Sequence, residues 1–402
     1  MAAPLVFLSI DGDDLNDNTR LPNAFGIFSL GMVQILVWGG SFFLMAVIAD
    51  PIMKETGWTS QAVYGALSLG ILVSAFLAPL TSQLIARWGG RCILASSGLA
   101  IAIGLLLMAW TTSLPMFMAA WAIIGVGMAL GFFEALFATL GAIYGARASS
   151  AITGVTLFSG FATSIVWPLV AFVIEHLGWR ATCVVYALLL LISVAPIYYW
   201  VLPKQLISPV NSKKNPLAVV AFDRRIYILL TTIFTLAAVI MTAMSVHLLL
   251  LLQGQGYSTA AAIGLSTLMG PSQVASRVLQ LLSRKRHPIW TTLICVVLVA
   301  TGLIIVAAYP AAASIALVLY GAGNGLRAIV RGLLPLALMS QAQYVLLMGR
   351  MARPTLIAQA ITPLAGGYLM HTMSTGFVWG VLCAISIVNV LLVIMLIRSI
   401  PD

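Results

Sequence analysis

Charge is scarce in this sequence. Only 7% of its 402 residues are Asp, Glu, Lys or Arg, and ten acids stand against 20 Lys and Arg. So little charge cannot solvate a water-soluble domain of this length, and a hydrophobic content of 61% with a mean hydropathy of +1.08 describes a chain that folds in lipid. Cysteine is scarce as well. Cys92, Cys183, Cys295 and Cys383 form no CxxC and no Cys/His metal pattern, and read as small apolar packing residues. No nucleophile–base constellation is present, and the glycine pairs sit within apolar runs rather than between a strand and a helix. The expectation is therefore no metal, no cofactor and no enzyme. The opening MAAPLVFLSI lacks a basic region and leads into the acidic run from Asp11 to Asp17, so it does not read as a cleavable signal peptide.

Long apolar runs are what the chain has in abundance. Stretches long enough to cross a bilayer lie near 24–48, 60–86, 92–111, 115–144, 151–175 and 180–202, then near 226–252, 259–282, 289–309, 312–338, 352–370 and 376–398. The expected fold is an all-α membrane protein of twelve transmembrane helices in two six-helix bundles. The bundles occupy 24–202 and 226–398, with an N-terminal tail at 1–23, a linker rich in proline and lysine at 203–225, and a short C-terminus at 399–402. Of the 20 basic residues, fifteen fall in the tail, linker and loops of one side, while only Lys54 and Arg180 fall on the other. This asymmetry predicts that both termini are cytoplasmic, and it assigns the net charge of +10 to topology rather than to nucleic-acid binding. The expected location is the plasma (inner) membrane, with the protein monomeric in the bilayer.

The two halves repeat. Gly57-Trp58-Thr59-Ser60 and Gly65 match Gly256-Tyr257-Ser258-Thr259 and Gly264 at an offset of 199, and Gly125-x-Gly127 matches Gly321-x-Gly323 at 196. Trp167-Pro168-Leu169 lines up with Thr362-Pro363-Leu364 at 195. Repeats of this kind place a binding site between the halves, near the bilayer midplane, and work by rocking one half on the other.

Three arginines fall inside spans: Arg277, Arg327 and Arg331. A guanidinium at the bilayer centre costs roughly 2.5 to 3.5 kcal/mol on insertion scales, so each must face a cavity or a partner. Arg277 in span eight is the first candidate for holding an anion, with Gln273 one turn before it. Span ten carries Asn324, Arg327 and Arg331, further candidates for binding the substrate, the two arginines four residues apart and so on one helical face. Glu134 in span four is the sole carboxylate placed within the membrane, a candidate for carrying a proton or for gating. By the repeat offset it maps beside Arg331. Counted from the outer ends of their spans, these four residues lie about 15 to 19 residues deep, which makes them one layer. Arg331 has the alternative of snorkelling to the surface, and Glu134 that of a permanent ion pair. Trp38 in span one is a candidate cavity-lining indole, and His247 in span seven a candidate proton relay.

The turn Ser82-Gln-Leu-Ile-Ala86-Arg87-Trp-Gly89-Gly90-Arg91 between spans two and three resembles the signature loop of the major facilitator superfamily. Arg87, Gly89 and Arg91 match its pattern, while Ser82 and Ala86 stand where that pattern has glycine and an acid. With twelve spans, a six-plus-six repeat and a central linker, the resemblance extends over essentially the whole chain. Gly57-Trp58 before span two, an arginine in span eight and Pro363-x-x-Gly366-Gly367 in span eleven are similar to the monocarboxylate porter and oxalate/formate antiporter branch. The resemblance implies that Arg277 binds a substrate carboxylate and that Arg87, Gly89 and Arg91 form a conformational loop.

The function expected from these residues is secondary active transport of a small organic anion, a monocarboxylate, by alternating access and coupled to protons. Two alternatives stay open: proton-coupled efflux of an amphiphilic compound along an aromatic wall of Trp38, Phe132, Phe133 and Trp167, and a membrane receptor that binds without transporting.

Overall fold

The computed structural model describes residues 21–204, 223–282 and 287–400. Most of the expected tail and linker, the final two residues, and the basic loop Arg284-Lys285-Arg286 lie outside the described residues. All regular elements among those described are helical. Span one comprises α1 (Ala24–Gly39) and α2 (Met45–Thr56), and span two is α3 (Ser60–Trp88). Span three is α4 (Gly90–Ala109), and span four is split into α5 (Leu114–Gly131) and α6 (Phe133–Tyr144). Spans five and six are carried by α7 (Ala148–Ser159) and α8 (Ala162–Val201), the latter turning sharply at Gly178, whose φ is +77°. The second half runs α9 (Arg224–Gln253), then α10 (Thr259–Thr267) with α11 (Met269–Leu282) as span eight, then α12 (Pro288–Ala308). It closes with α13 (Ala313–Leu338), α14 (Gln341–Thr372) and α15 (Thr375–Ser399). Eight stretches are long and apolar enough to cross a bilayer unaided, and the remaining, interrupted or charge-bearing helices complete twelve spans.

The repeat is visible in the backbone. Gly57 and Gly256 both adopt left-handed φ values, +71° and +96°, which glycine alone adopts at no steric cost. After each, a hydroxyl caps the next helix: Thr59 Oγ1 accepts from the Ala62 amide and Ser258 Oγ from that of Ala261, both at 3.3 Å.

One boundary moves. Span eleven was expected from 352, but α14 begins at Gln341 behind a capping box made by Ser340 and Gln343. Arg350 and Arg353 lower the hydropathy of that first stretch without breaking its helix. Arg350 is exposed, and the Arg353 guanidinium lies 4.9 Å from the Phe76 ring centroid.

The halves meet along a seam of α3, α6 and α7 against α11, α13 and α14. Ile71, Ala75 and Ala78 of α3 pack on Ala352, Leu356 and Ala360 of α14. Gly349 lies so close to Ala78 and Ser82 that a side chain there would collide with both. The seam runs from the end bearing the basic loops to just past the middle. Beyond it, Gly65, Gly264, Gly270 and Gly367 face open space, and Phe161 before α8 is exposed together with Ile165, Trp167 and Phe172 of that helix. The halves thus close at the basic end and part at the other.

Candidate functional site

Four spans are broken inside the bilayer, and three of the breaks bracket the candidate charges. Span four stops at Phe132, whose ψ of 173° is extended, and restarts with Glu134 in the first turn of α6. Broken helices expose backbone donors and carbonyls at membrane depth, which is tolerated only where protein or a cavity satisfies them. The N-terminal end of α6 carries partial positive charge, and Glu134 stands beside it.

Glu134 is 7% exposed and forms an ion pair with Arg331 of α13. The pair joins span four to span ten, and therefore one half to the other, at the closed end of the seam. Arg331 is held inside the seam rather than extended to the surface.

Arg277 makes a second bridge nearby. Its Nε donates to the Gly325 carbonyl of α13 and its Nη1 to the Thr156 carbonyl of α7, each at 3.1 Å. Thr156 lies in the last turn of α7, near the partially negative end of that helix, and its carbonyl also accepts from the Gly160 amide at 3.2 Å and from Ser159 Oγ at 3.4 Å. Gly160, just past that turn, leaves room for the Arg277 guanidinium, which a side chain there would push aside. Nη2 makes no hydrogen bond to a described residue. Gln273 stands one turn away, half-buried, its backbone packed on Gly325.

Arg327 goes elsewhere. Its Nε donates to Asn324 Oδ1 at 2.9 Å, and both side chains border a small cavity inside the second half, between α9, α12, α13 and α15. A four-residue step rotates the helix by about 40° and climbs about 6 Å, enough for two long side chains to diverge. One face of α13 therefore serves two places.

Trp38 is half-buried. Its indole stacks on Phe132 at 3.9 Å between centroids, flanked by Phe42, Phe43 and Phe133, and its Nε1 donates to Gln34 Oε1 at 3.2 Å. Trp167 joins the same neighbourhood through a hydrogen bond from its Nε1 to the Phe43 carbonyl. His247 stands apart, toward the open end of α9, packed on Gly366 of α14 with Nε2 unpartnered.

Sequence reasoning did not single out Thr156, Gly160, Gln34 or Asn389. Gln34 and Asn389 are isolated polar residues in apolar runs, a signal that was present but carried no charge. The Thr156 carbonyl left none, because every residue carries a carbonyl and residue identity does not mark which one accepts from a distant side chain.

A family model described as Major Facilitator Superfamily matches residues 30–330. The chain belongs to the major facilitator superfamily. It is a transporter by that membership, not an enzyme. The proton:xylose symporter XylE is similar in fold, with a TM-score of 0.67 and 14% identity over 92% of this chain and 94% of that one. The human organic anion transporter MFSD10 gives 0.69 and 14% over 92% and 98%. FucP, solved in the outward conformation, gives 0.71 and 13% over 92% and 98%. No curated protein matches the sequence.

The turn between α3 and α4 is shaped by two glycines. Gly89, at φ +82°, ends α3 and starts α4, and Gly90 lies against Thr139 of α6, where a side chain would not fit. The loop thus sits under the helix that carries Glu134. Arg91 reaches the Tyr199 carbonyl and lies over that ring, while Arg87 is exposed.

Proposed function

We propose that this transporter moves a small organic anion, a monocarboxylate, across the plasma membrane by alternating access, with proton coupling and with both termini in the cytoplasm. One observation carries the reading: at the base of the cleft the two guanidiniums of Arg277 and Arg331 stand against the one carboxylate of Glu134, and Arg277 has a terminal nitrogen to spare. The surplus makes the interior positive, which draws anions, and a guanidinium offers a carboxylate two parallel hydrogen bonds.

Arg277 and Gln273 form the substrate contact, Trp38 walls the cleft, and Glu134 with Arg331 is the gate. Opening the basic end requires both cross-seam links to break. Removing one partner of a buried ion pair costs roughly 3–5 kcal/mol, so the pair stays closed until something takes its place. A proton on Glu134 releases Arg331, and the anion's carboxylate replaces the Thr156 carbonyl on Arg277. The two events together balance charge across the turn of the cycle. The similarity of Gly57-Trp58, Arg277 and Pro363-x-x-Gly366-Gly367 to the monocarboxylate porter branch supports the same substrate class.

The test is uptake of labelled monocarboxylates, dicarboxylates and one lipophilic cation into proteoliposomes, with and without a pH gradient. Anion uptake driven by protons is the expected result. Anion uptake that ignores pH but needs a trapped counter-anion makes the protein an exchanger, and transport of the cation alone overturns the reading. The stacked Trp38–Phe132 wall favours that last alternative, efflux of an amphiphilic compound.

A further inference from the structure

The cavity at Arg327 has a volume of about 20 Å³, room for a single water or a single monatomic ion. Its polar lining is Arg327, Asn324, Asn389, Ser386, Tyr320 and Cys295, with no carboxylate. Two of these are committed elsewhere: Ser386 Oγ donates to the Cys383 carbonyl and Cys295 Sγ to that of Gly323. Asn389 is 3% exposed and its Oδ1 has no partner. Half a turn of that amide presents its NH2 to the cavity as a donor. The Tyr320 hydroxyl makes no hydrogen bond to a described residue and is a further donor.

The first half shows what this place looks like when it is complete. There the position ringed by spans one, three, four and six is closed by Gln34, whose Nε2 donates to the Gly131 carbonyl at 2.9 Å and to the Tyr198 hydroxyl at 3.1 Å. Gly131 is the repeat partner of Arg327 at the offset of 196. One half has a neutral polar knot with every partner in place; the other has a guanidinium, an unanswered amide and a hole, with Ala237 on the span-seven wall. A buried cation without a counter-charge is far more costly than a neutral knot. A water fills the hole but leaves the charge, and an organic carboxylate is too large for it.

We propose that this cavity holds a monovalent inorganic anion of halide size, bound between Arg327 and Asn389 and separate from the substrate path at the seam. The ion ties α9, α12, α13 and α15 together and supplies the charge balance that an acidic side chain would otherwise provide. The proposal is independent of what the transporter carries.

The experiment is thermal unfolding of the purified full-length protein, followed by tryptophan fluorescence at fixed ionic strength with sodium chloride, sodium bromide or sodium isethionate, whose anion is too large for the cavity. Chloride and bromide should raise Tm over isethionate by about 3 °C or more, as expected when a ligand binds only the folded state. The rise should saturate with halide concentration, unlike a general salt effect. Arg327→Met should abolish the difference, and Asn389→Leu should raise the half-saturating halide concentration about tenfold, a loss of roughly one hydrogen bond to a charge. Arg277→Leu should keep the full halide shift even where anion uptake is lost. Equal Tm in all three salts overturns the proposal and assigns the cavity to water. A saturable shift of undiminished size in Arg327→Met places the ion elsewhere and also overturns it. Should Arg327→Met fail to fold, an unchanged half-saturation in Asn389→Leu has the same force.

Discussion

Glu134 of the first half is ion-paired with Arg331 of the second, inside the seam that closes the basic end of the molecule. Both side chains are nearly excluded from solvent, at 9% and 12% exposure, so the pair is not a surface contact that salt would screen away.

Separating the two charges by mutation should reveal this. Glu134→Ala and Arg331→Ala should each destabilise the folded protein by roughly 3–5 kcal/mol, while the double variant should lose much less than their sum. A double-mutant cycle in chemical denaturation measures it. Additive losses would show that the two residues do not depend on each other.

For transport, Glu134→Gln should uncouple uptake from the pH gradient while leaving exchange of labelled for unlabelled anion. The motive is geometric: Glu134 is the one carboxylate facing a guanidinium across the seam among the described residues. Proton-driven accumulation that survives intact in this variant would remove Glu134 from coupling.

Arg277→Leu should abolish anion uptake without altering monodispersity or helical content, and Arg277→Lys should fare little better. An ammonium on a flexible stem cannot hold the Gly325 and Thr156 carbonyls at once and still present a free nitrogen. Uptake near the original rate in either variant would exclude Arg277 from the substrate contact.

Gly349→Leu should wedge the basic end apart. Its side chain has nowhere to go between Ala78 and Ser82, so α14 must leave α3. The expected outcome is loss of transport together with faster alkylation of a cysteine introduced at Ser82. An unchanged alkylation rate would mean that the seam absorbs the added volume.

At the other end, Glu55 receives hydrogen bonds from Arg180 and Trp179, and Arg180 also donates to the Ala109 and Thr111 carbonyls, each at 2.8 Å. The hydrogen bond from Arg180 is the main reason the Glu55 carboxyl lies below the usual carboxylate range. A depressed value means that the clasp stabilises the fold above that range and ceases to do so as the pH falls through the lower, folded-state value. Both side chains are more than a third exposed, so the effect is small, below about 1 kcal/mol. Tm measured against pH should fall slightly on the acid side for the original protein and not for Glu55→Gln; parallel curves would count against the clasp.

Much of this was legible in the residues. Gly57 and Gly256, with a hydroxyl two residues on, announced the repeat because a left-handed turn and a helix cap each demand a particular side chain. Glu134 and Arg331 announced their shared depth because charge in an apolar run is conspicuous. The breaks at Phe132, Gly160 and Leu268 were not legible, since apolar residues continue on both sides and hydropathy is blind to a change of backbone direction. Nor could the Thr156 carbonyl be foreseen as a partner for Arg277, since the choice of a backbone acceptor is not written in residue identity. The separation of Arg327 from Arg331 was hidden by their common helical face. It depends on which neighbours α13 meets, which spacing along one helix does not encode.

The cross-seam pair also bears on how the protein is made. Glu134 enters the bilayer with the first half, long before the ribosome reaches span ten, and until then it has no cationic partner in the membrane. The early intermediate must hold that residue open to water or to another polar group, and the arrival of Arg331 gives it a lasting partner. Completion of the second half is thus a chemical event for the first. A truncated chain ending in the linker should therefore be a marked substrate for membrane proteases, and co-expression of the missing half should rescue it.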